Sequence, residues 1–140
     1  MILVKVIDGN NLIYGRLSTH IAKMLLSGEE IVIVNADKVA VTGSREFLLG
    51  RFKERREIGS VRKGPYYPRT SNQILRRSIG DMLPKKKAKG SDALKRCKVY
   101  SGVPTEYKDS KLETIEEAKN EKVAQFLTLN EIAKSLGGKY

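Results

Sequence analysis

Two aliphatic runs, at residues 2–7 and 31–34, bracket a single amphipathic stretch, and that order leaves few ways to fold. Ile2 to Ile7 is nearly continuous in β-branched and aliphatic residues, broken only by Lys5, as expected of a strand covered on both faces. Asp8 to Gly15 is turn-rich, with Gly9, Asn10 and Asn11. Leu17, Ile21, Met24 and Leu25 then recur at i, i+4, i+7 and i+8, which predicts a helix, with Gly28 where a C-cap belongs. A second strand, Ile31 to Val34, follows after only a few residues. Strand, helix and strand at this spacing make a βαβ unit, with parallel strands and a right-handed crossover.

Further along, Val39 and Val41 read as a short extended piece ending at Thr42 and Gly43. Ser44 is a candidate N-cap for a helix with Phe47, Leu48 and Phe52 on its apolar stripe, turning basic through Arg51, Lys53, Arg55 and Arg56. Residues 57–70 place Gly59, Gly64, Pro65 and Pro68 among Arg62, Lys63, Tyr66, Tyr67 and Arg69, the composition of an exposed basic loop. Tyr66 and Tyr67 fit two roles, stacking on unpaired bases or covering the edge of the core.

A second helix-forming stretch begins near Ile74. Ile74, Leu75, Ile79, Met82 and Leu83 fall on one half of it and Gln73, Arg76 and Arg77 on the other. Pro84 stops it, because proline cannot continue the hydrogen-bond ladder. Lys85, Lys86, Lys87 and Lys89 come next, then Ser91 as a candidate N-cap for a short turn carrying Lys95, Arg96 and Lys98, and Val99 and Tyr100 as a strand. Residues 105–122 read as a solvated, charged arm. Phe126, Leu127 and Leu129 return to the core, and Thr128 with Glu131 forms a capping box opening a last helix closed by Gly137 and Gly138, so 126–138 is a C-terminal strand and helix.

Charge is the second constraint. The net charge of +11 divides into zero over residues 1–44, +12 over residues 45–98 and −1 over residues 99–140. A concentrated excess of this kind suggests a docking face for phosphates. A basic membrane helix would carry large exposed apolar residues, and this segment has few. No run approaches the roughly 18 apolar residues of a membrane span, and the opening MILVKVIDG is too short for a signal peptide, so a cytosolic, soluble chain of about one domain (1–140) is expected.

Catalytic chemistry finds little support. One cysteine, Cys97, and one histidine, His20, fall short of the four ligands of a structural zinc. Cys97 reads as a small buried hydrophobe in a helix, and His20 as a surface or partly packed residue. No G-x-S-x-G elbow is present, and the turn at Asp8, Gly9 and Gly15 lacks both G-x-G-x-x-G and a Walker A lysine. The N-terminus of the first helix, with Arg16 beside it, could still receive an RNA phosphate. No cofactor is expected.

The runs IDGNNLIYGRLSTHIAKMLL, IVIVNADKVAVTGS and above all RRSIGDMLPKKKAKGSDALKRCKVYSGVP resemble the L-thirteen family of large-subunit ribosomal proteins, over about residues 2–104. The resemblance implies a three-layer α/β/α fold around a mainly parallel four-stranded sheet, and an rRNA-binding structural role in early subunit assembly. The short link at Ser27 to Glu30, and a region after Val103 unlike bacterial tails or the long helical extension of eukaryotic members, match the archaeal branch. RNA-facing positions implied by the resemblance are Arg76, Arg77, Lys85, Lys86, Lys87, Lys89, Lys95 and Arg96. The residues themselves add Arg16, Arg51, Arg55, Arg56, Arg62, Lys63 and Arg69. Expected partners are large-subunit rRNA and neighbouring ribosomal proteins, with neither membrane nor DNA. The alternatives are an RNA-modifying or nucleotide-binding enzyme on a Rossmann-like frame, and a regulatory RNA-binding protein acting off the ribosome.

Overall fold

The computed structural model describes residues 4–58, 62, 64, 67–108, 111–120 and 125–137, without the side chain of Arg56. Expectations placed on Ile2, Leu3, Gly59, Lys63, Pro65, Tyr66, Gly138 and parts of the 105–122 arm lie outside the described residues.

The βαβ opening forms as its spacing requires. Strand β1 (Val4–Asp8) and strand β2 (Glu30–Val34) run parallel, with Val6 opposite Val32 and Ile7 opposite Ile33, joined by helix α1 (Tyr14–Leu26). Gly28 adopts φ +98°, a left-handed conformation that reverses the chain after the helix at little steric cost to glycine. At Gly9 an added Cβ would lie 2.9 Å from Val39 Cγ2 and 3.2 Å from the Val34 carbonyl oxygen. That glycine serves close packing of the strand ends, and no phosphate loop is formed there.

After β2, Asn35 takes a left-handed conformation (φ 57°) and a 3-10 turn (Ala36–Lys38) carries the chain away from the sheet. Strand β3 (Ala40–Thr42) follows, then helices α2 (Arg45–Glu57), α3 (Ser71–Asp81) and α4 (Ala88–Lys95), strand β4 (Cys97–Val99), strand β5 (Phe126–Thr128) and helix α5 (Leu129–Ser135). The fold is mixed α/β with a parallel sheet of order β1-β2-β4 and a separate antiparallel pair, β3-β5. Among the described residues the parallel sheet therefore has three strands, not the four expected. The Asn35 turn takes β3 out of the parallel sheet, where Ala40 pairs with Thr128 and Val41 with Leu127.

Alternation divides the two faces of the parallel sheet. Ile7, Ile31, Ile33, Cys97 and Val99 join the main core with α1, α3 and α5, whereas Val6, Val32 and Val34 face the other way. Tyr100 and Tyr107, the latter in a 3-10 turn (Thr105–Tyr107), cover this second group. The third layer of the expected α/β/α arrangement is thus reduced, among the described residues, to a single turn.

Both sheet edges are partly covered. On the β1 side the Asp8 N–H donates to the Glu113 carbonyl (2.8 Å) and the Glu113 N–H donates to the Val6 carbonyl (2.9 Å). The segment expected as a solvated arm keeps most described side chains in water, yet buries Ala118 and ties its backbone to β1 and to Asn11 and Ile13. On the β4 side the outward carbonyls of Cys97 and Val99 accept from Arg76 Nε (3.5 Å) and Asn72 Nδ2 (3.4 Å), one helical turn apart on α3.

Several local readings shift. Phe47 is 61% exposed, because the buried stripe of α2 runs through Leu48 and Phe52. Met82 lies just past α3, with its sulfur accepting from Thr19 Oγ1 (3.4 Å), and Phe126 points largely outward from β5. Cys97 is buried in a strand, not a helix. Ser91 is not an N-cap: α4 begins at Ala88, because the Lys87 N–H donates to the Pro84 carbonyl (2.9 Å) and folds the basic turn against the helix. That fold-back needs Gly90, where a Cβ would sit 2.1 Å from the Pro84 oxygen.

Gly90→Ala should therefore lower stability by about 1–3 kcal/mol through overpacking. Gly50→Ala, mid-helix with nothing near its added methyl, should raise stability by about 0.5–1 kcal/mol. Urea unfolding of the two variants checks both signs.

Burial also pushes the Cys97 thiol up to about 11 from its usual 9.0. The folded state then holds a proton that the unfolded chain releases, so unfolding free energy should fall as pH rises from about 9 to about 11 and then level. Cys97→Ala should flatten that part of the stability-versus-pH curve.

Candidate nucleic-acid interface

The basic excess of the middle segment is carried by α2, α3, α4 and their connections, and its cations do unlike things. Arg55, at the end of α2, sits with its guanidinium carbon 5.4 Å from the Phe52 ring centre and 5.9 Å from that of Tyr67. Arg77 from α3 lies 5.0 Å over the same Tyr67 ring. Tyr67 is 7% exposed and 6.1 Å from Phe52, so of its two candidate roles it covers the core. Each such cation–aromatic contact contributes about 0.5–1 kcal/mol at a partly exposed site.

Along the outer face of α3, Gln73, Arg76, Arg77 and Gly80 follow at i, i+3, i+4 and i+7 and form one wall of an open cleft of about 420 Å³. Pro68, Lys85 and Leu94 complete its lining. Arg76 Nη2 donates to the Leu94 carbonyl (3.2 Å), in the last turn of α4 where helix carbonyls lack partners. Lys85 Nζ meets Asp81 Oδ1 at 3.0 Å, both exposed. Lys86 and Lys87 on the turn after Pro84, and Lys89 in the first turn of α4, stand exposed with no protein partner among the described residues.

The remaining candidates lie elsewhere. Arg96 turns inward, its Nη2 donating to the Leu25 carbonyl at the end of α1 (2.6 Å), while its Nε is buried without a partner. With Lys95 and Lys98 it borders a smaller cavity of about 190 Å³ beside Val4, Val32 and Tyr107. Arg16 is exposed at the start of α1, over a separate hollow with Thr19, His20, Thr42 and Met82. Arg69 is exposed, its Nη1 near Gly137 at the end of α5, and Arg51 and Arg62 are exposed. Lys63 and the Arg56 side chain are outside the described residues.

Arg55, Arg76, Arg77 and Lys85 are thus joined through Tyr67 and the cleft, with Lys86 and Lys87 following on the turn and Lys89 at the start of α4; Arg16, Arg69, Lys95 and Arg96 are not part of that group. Reasoning from sequence did not single out Gln73, Gly80 and Leu94 as site residues. The signal available for the first two was the helical spacing they share with Arg76 and Arg77.

Nothing in the arrangement resembles a reaction centre. His20 Nε2 faces Glu117 Oε2 at 3.3 Å on the surface, and among the described residues no group of three or more His, Cys, Asp or Glu could hold a metal. No described helix is long and apolar enough to cross a membrane.

The division between structural and outward cations is measurable. Arg96→Ala should cost about 1.5–3 kcal/mol, the worth of a charged hydrogen bond. Lys86→Ala with Lys87→Ala should leave stability within about 0.5 kcal/mol of the parent. Thermal melts of the two proteins at one pH and salt concentration make the comparison.

Comparison with known proteins agrees with the sequence resemblance. A family model described as Ribosomal protein L13 matches residues 3–106. Among curated relatives, the large ribosomal subunit protein uL13 of Picrophilus torridus is 58% identical over 134 residues, covering 96% of this chain and 97% of that protein. That of Thermoplasma volcanium is 55% identical over 135 residues, covering 96% and 99%. That of Methanosarcina barkeri is 48% identical over 138 residues, again 96% and 99%.

Proposed function

The chain belongs to the ribosomal protein L13 family, and from that membership we propose that it is a structural, non-catalytic constituent of the large ribosomal subunit, acting in the cytoplasm as part of the ribosome. Its partners are large-subunit rRNA and neighbouring ribosomal proteins, and its role includes early subunit assembly. The similarity to archaeal members extends over 96% of the chain, so the reading applies to the acidic segment after Val103 as well as to the basic centre.

The observation that carries the RNA-binding part is the concentration of +12 net charge in residues 45–98, presented from ordered helices. Arg55, Arg76 and Arg77 each have a contact within the protein that fixes where their charge stands. Lys85, Lys86 and Lys87 extend that charge along a turn held by the Lys87 N–H to the Pro84 carbonyl, and Lys89 adds to it from the first turn of α4. A phosphate backbone laid across α3 and this turn meets cations at set positions, and the ordering cost on binding is lower than for a disordered basic tail. Arg51, Arg62, Arg69 and Arg16, exposed outside the cleft, supply further contacts, and Arg56 and Lys63 add to the same charge in sequence. Lys95 contributes from the end of α4, while Arg96 serves chiefly to hold α4 against α1.

Contact with about eight phosphates predicts a slope of roughly −6 for log affinity against log salt. Titration of a large-subunit rRNA transcript between about 50 and 200 mM salt measures it. Absence of binding at the low-salt end, or recovery of the cellular protein away from large subunits after a moderate salt wash, would overturn the reading.

A further inference from the structure

The cleft beside α3 differs from the rest of the basic surface in being concave and having an apolar side. Its roughly 420 Å³ falls within the range of about 300–1,000 Å³ usual for ligand clefts. Leu94 and Pro68 supply apolar surface, Gln73 an amide that both donates and accepts, and Arg76, Arg77 and Lys85 positive charge. Gly80 lets Leu94 and Lys85 approach α3 closely at one end of the cleft: an added Cβ would come 3.3 Å from Leu94 Cδ2 and 3.6 Å from Lys85 Cδ. A duplex backbone needs only a convex or flat row of cations. A recess with one flat guanidinium, one amide and an apolar wall fits a single base with its phosphate.

Resting on the rRNA-binding reading, we propose that this cleft takes one unpaired nucleotide of large-subunit rRNA. The base lies beside Leu94 on the outer side of α3, stacking on the Arg77 guanidinium, whose carbon is 5.0 Å from the Tyr67 ring centre. Unpaired bases are read in this way, by stacking on aromatic or guanidinium planes and hydrogen bonding at their edges. Gln73 bonds to the base edge, and Lys85, shared with exposed Asp81, takes the phosphate. Arg76 already donates to the Leu94 and Cys97 carbonyls and acts as a positioning residue that holds α4, and so Leu94, at its distance from α3.

Two charge-preserving variants test the proposal on a large-subunit rRNA transcript. Gln73→Trp fills the cleft from an exposed helix position, and Arg77→Lys keeps the charge while removing the flat plane. Each should bind about tenfold or more weakly, as expected for loss of one stacked base, with the salt slope falling by no more than about one, the single phosphate contact at Lys85. Base-reactivity probing should show an unpaired nucleotide protected by the parent protein and reactive again with Gln73→Trp. Parent-like affinity and footprint for Gln73→Trp, with its melting temperature intact, would overturn the cleft assignment while leaving rRNA binding in place. A footprint confined to duplex backbone would do the same. If instead the parent protein fails to bind the transcript at low salt, it is the rRNA-binding reading that fails.

Discussion

A parallel sheet of three strands has two open edges, and closing them organises most of this molecule. Unpaired strand edges present backbone groups that will pair with another chain if nothing covers them. Here the β1 edge is taken by the backbone at Glu113, and the Cys97 and Val99 carbonyls of β4 by Asn72 and Arg76. The second closure uses side chains of α3, the helix that buries Ile74, Leu75 and Ile79 on its other side. Sheet, helix and basic surface are thereby held in one register, and displacing α3 would open the sheet as well as move the charge.

This arrangement gives arginine and lysine different work. Arg55, Arg76, Arg77 and Arg96 each contact an aromatic ring or a helix or strand carbonyl, and the planar guanidinium can do so while keeping its charge. Lys86 and Lys87 on a turn fixed at its base, and Lys89 just inside α4, keep exposed side chains with no protein partner among the described residues. The first group positions elements, and the second meets whatever anion approaches. A count of positive residues treats the two alike, although only the first group should matter greatly to folding.

What could be read from sequence was what local chemistry decides. Gly28 after α1, Ser44 accepting the Phe47 N–H, Thr128 accepting the Glu131 N–H and the parallel β1–β2 pair all depend on neighbours a few residues away or on one short crossover. The misplacements depend on distant contacts. Ser91 looked like a cap because the approach of Gly90 to Pro84 is invisible in a linear pattern. The partner of β3 lay in β5, and the fate of the 105–122 segment depended on an edge formed by the first strand. The site was legible as a set of charges, while its division into struts, outward lysines and a cleft required the packing of Tyr67, Leu94 and Gly80.

The acidic strap has a bearing on how the protein is made. Asn11 and Asn120, bonded to each other, are 109 positions apart, and Asp8 and Glu113 are separated nearly as far. A chain emerging from its N-terminus therefore completes β1, α1 and β2 long before the residues that shield the outer side of β1 exist. Throughout that interval the nascent molecule carries both an uncovered strand and, once residue 98 is out, its full surplus of positive charge. Mutual repulsion between such chains opposes strand-to-strand pairing until the last third of the polypeptide arrives.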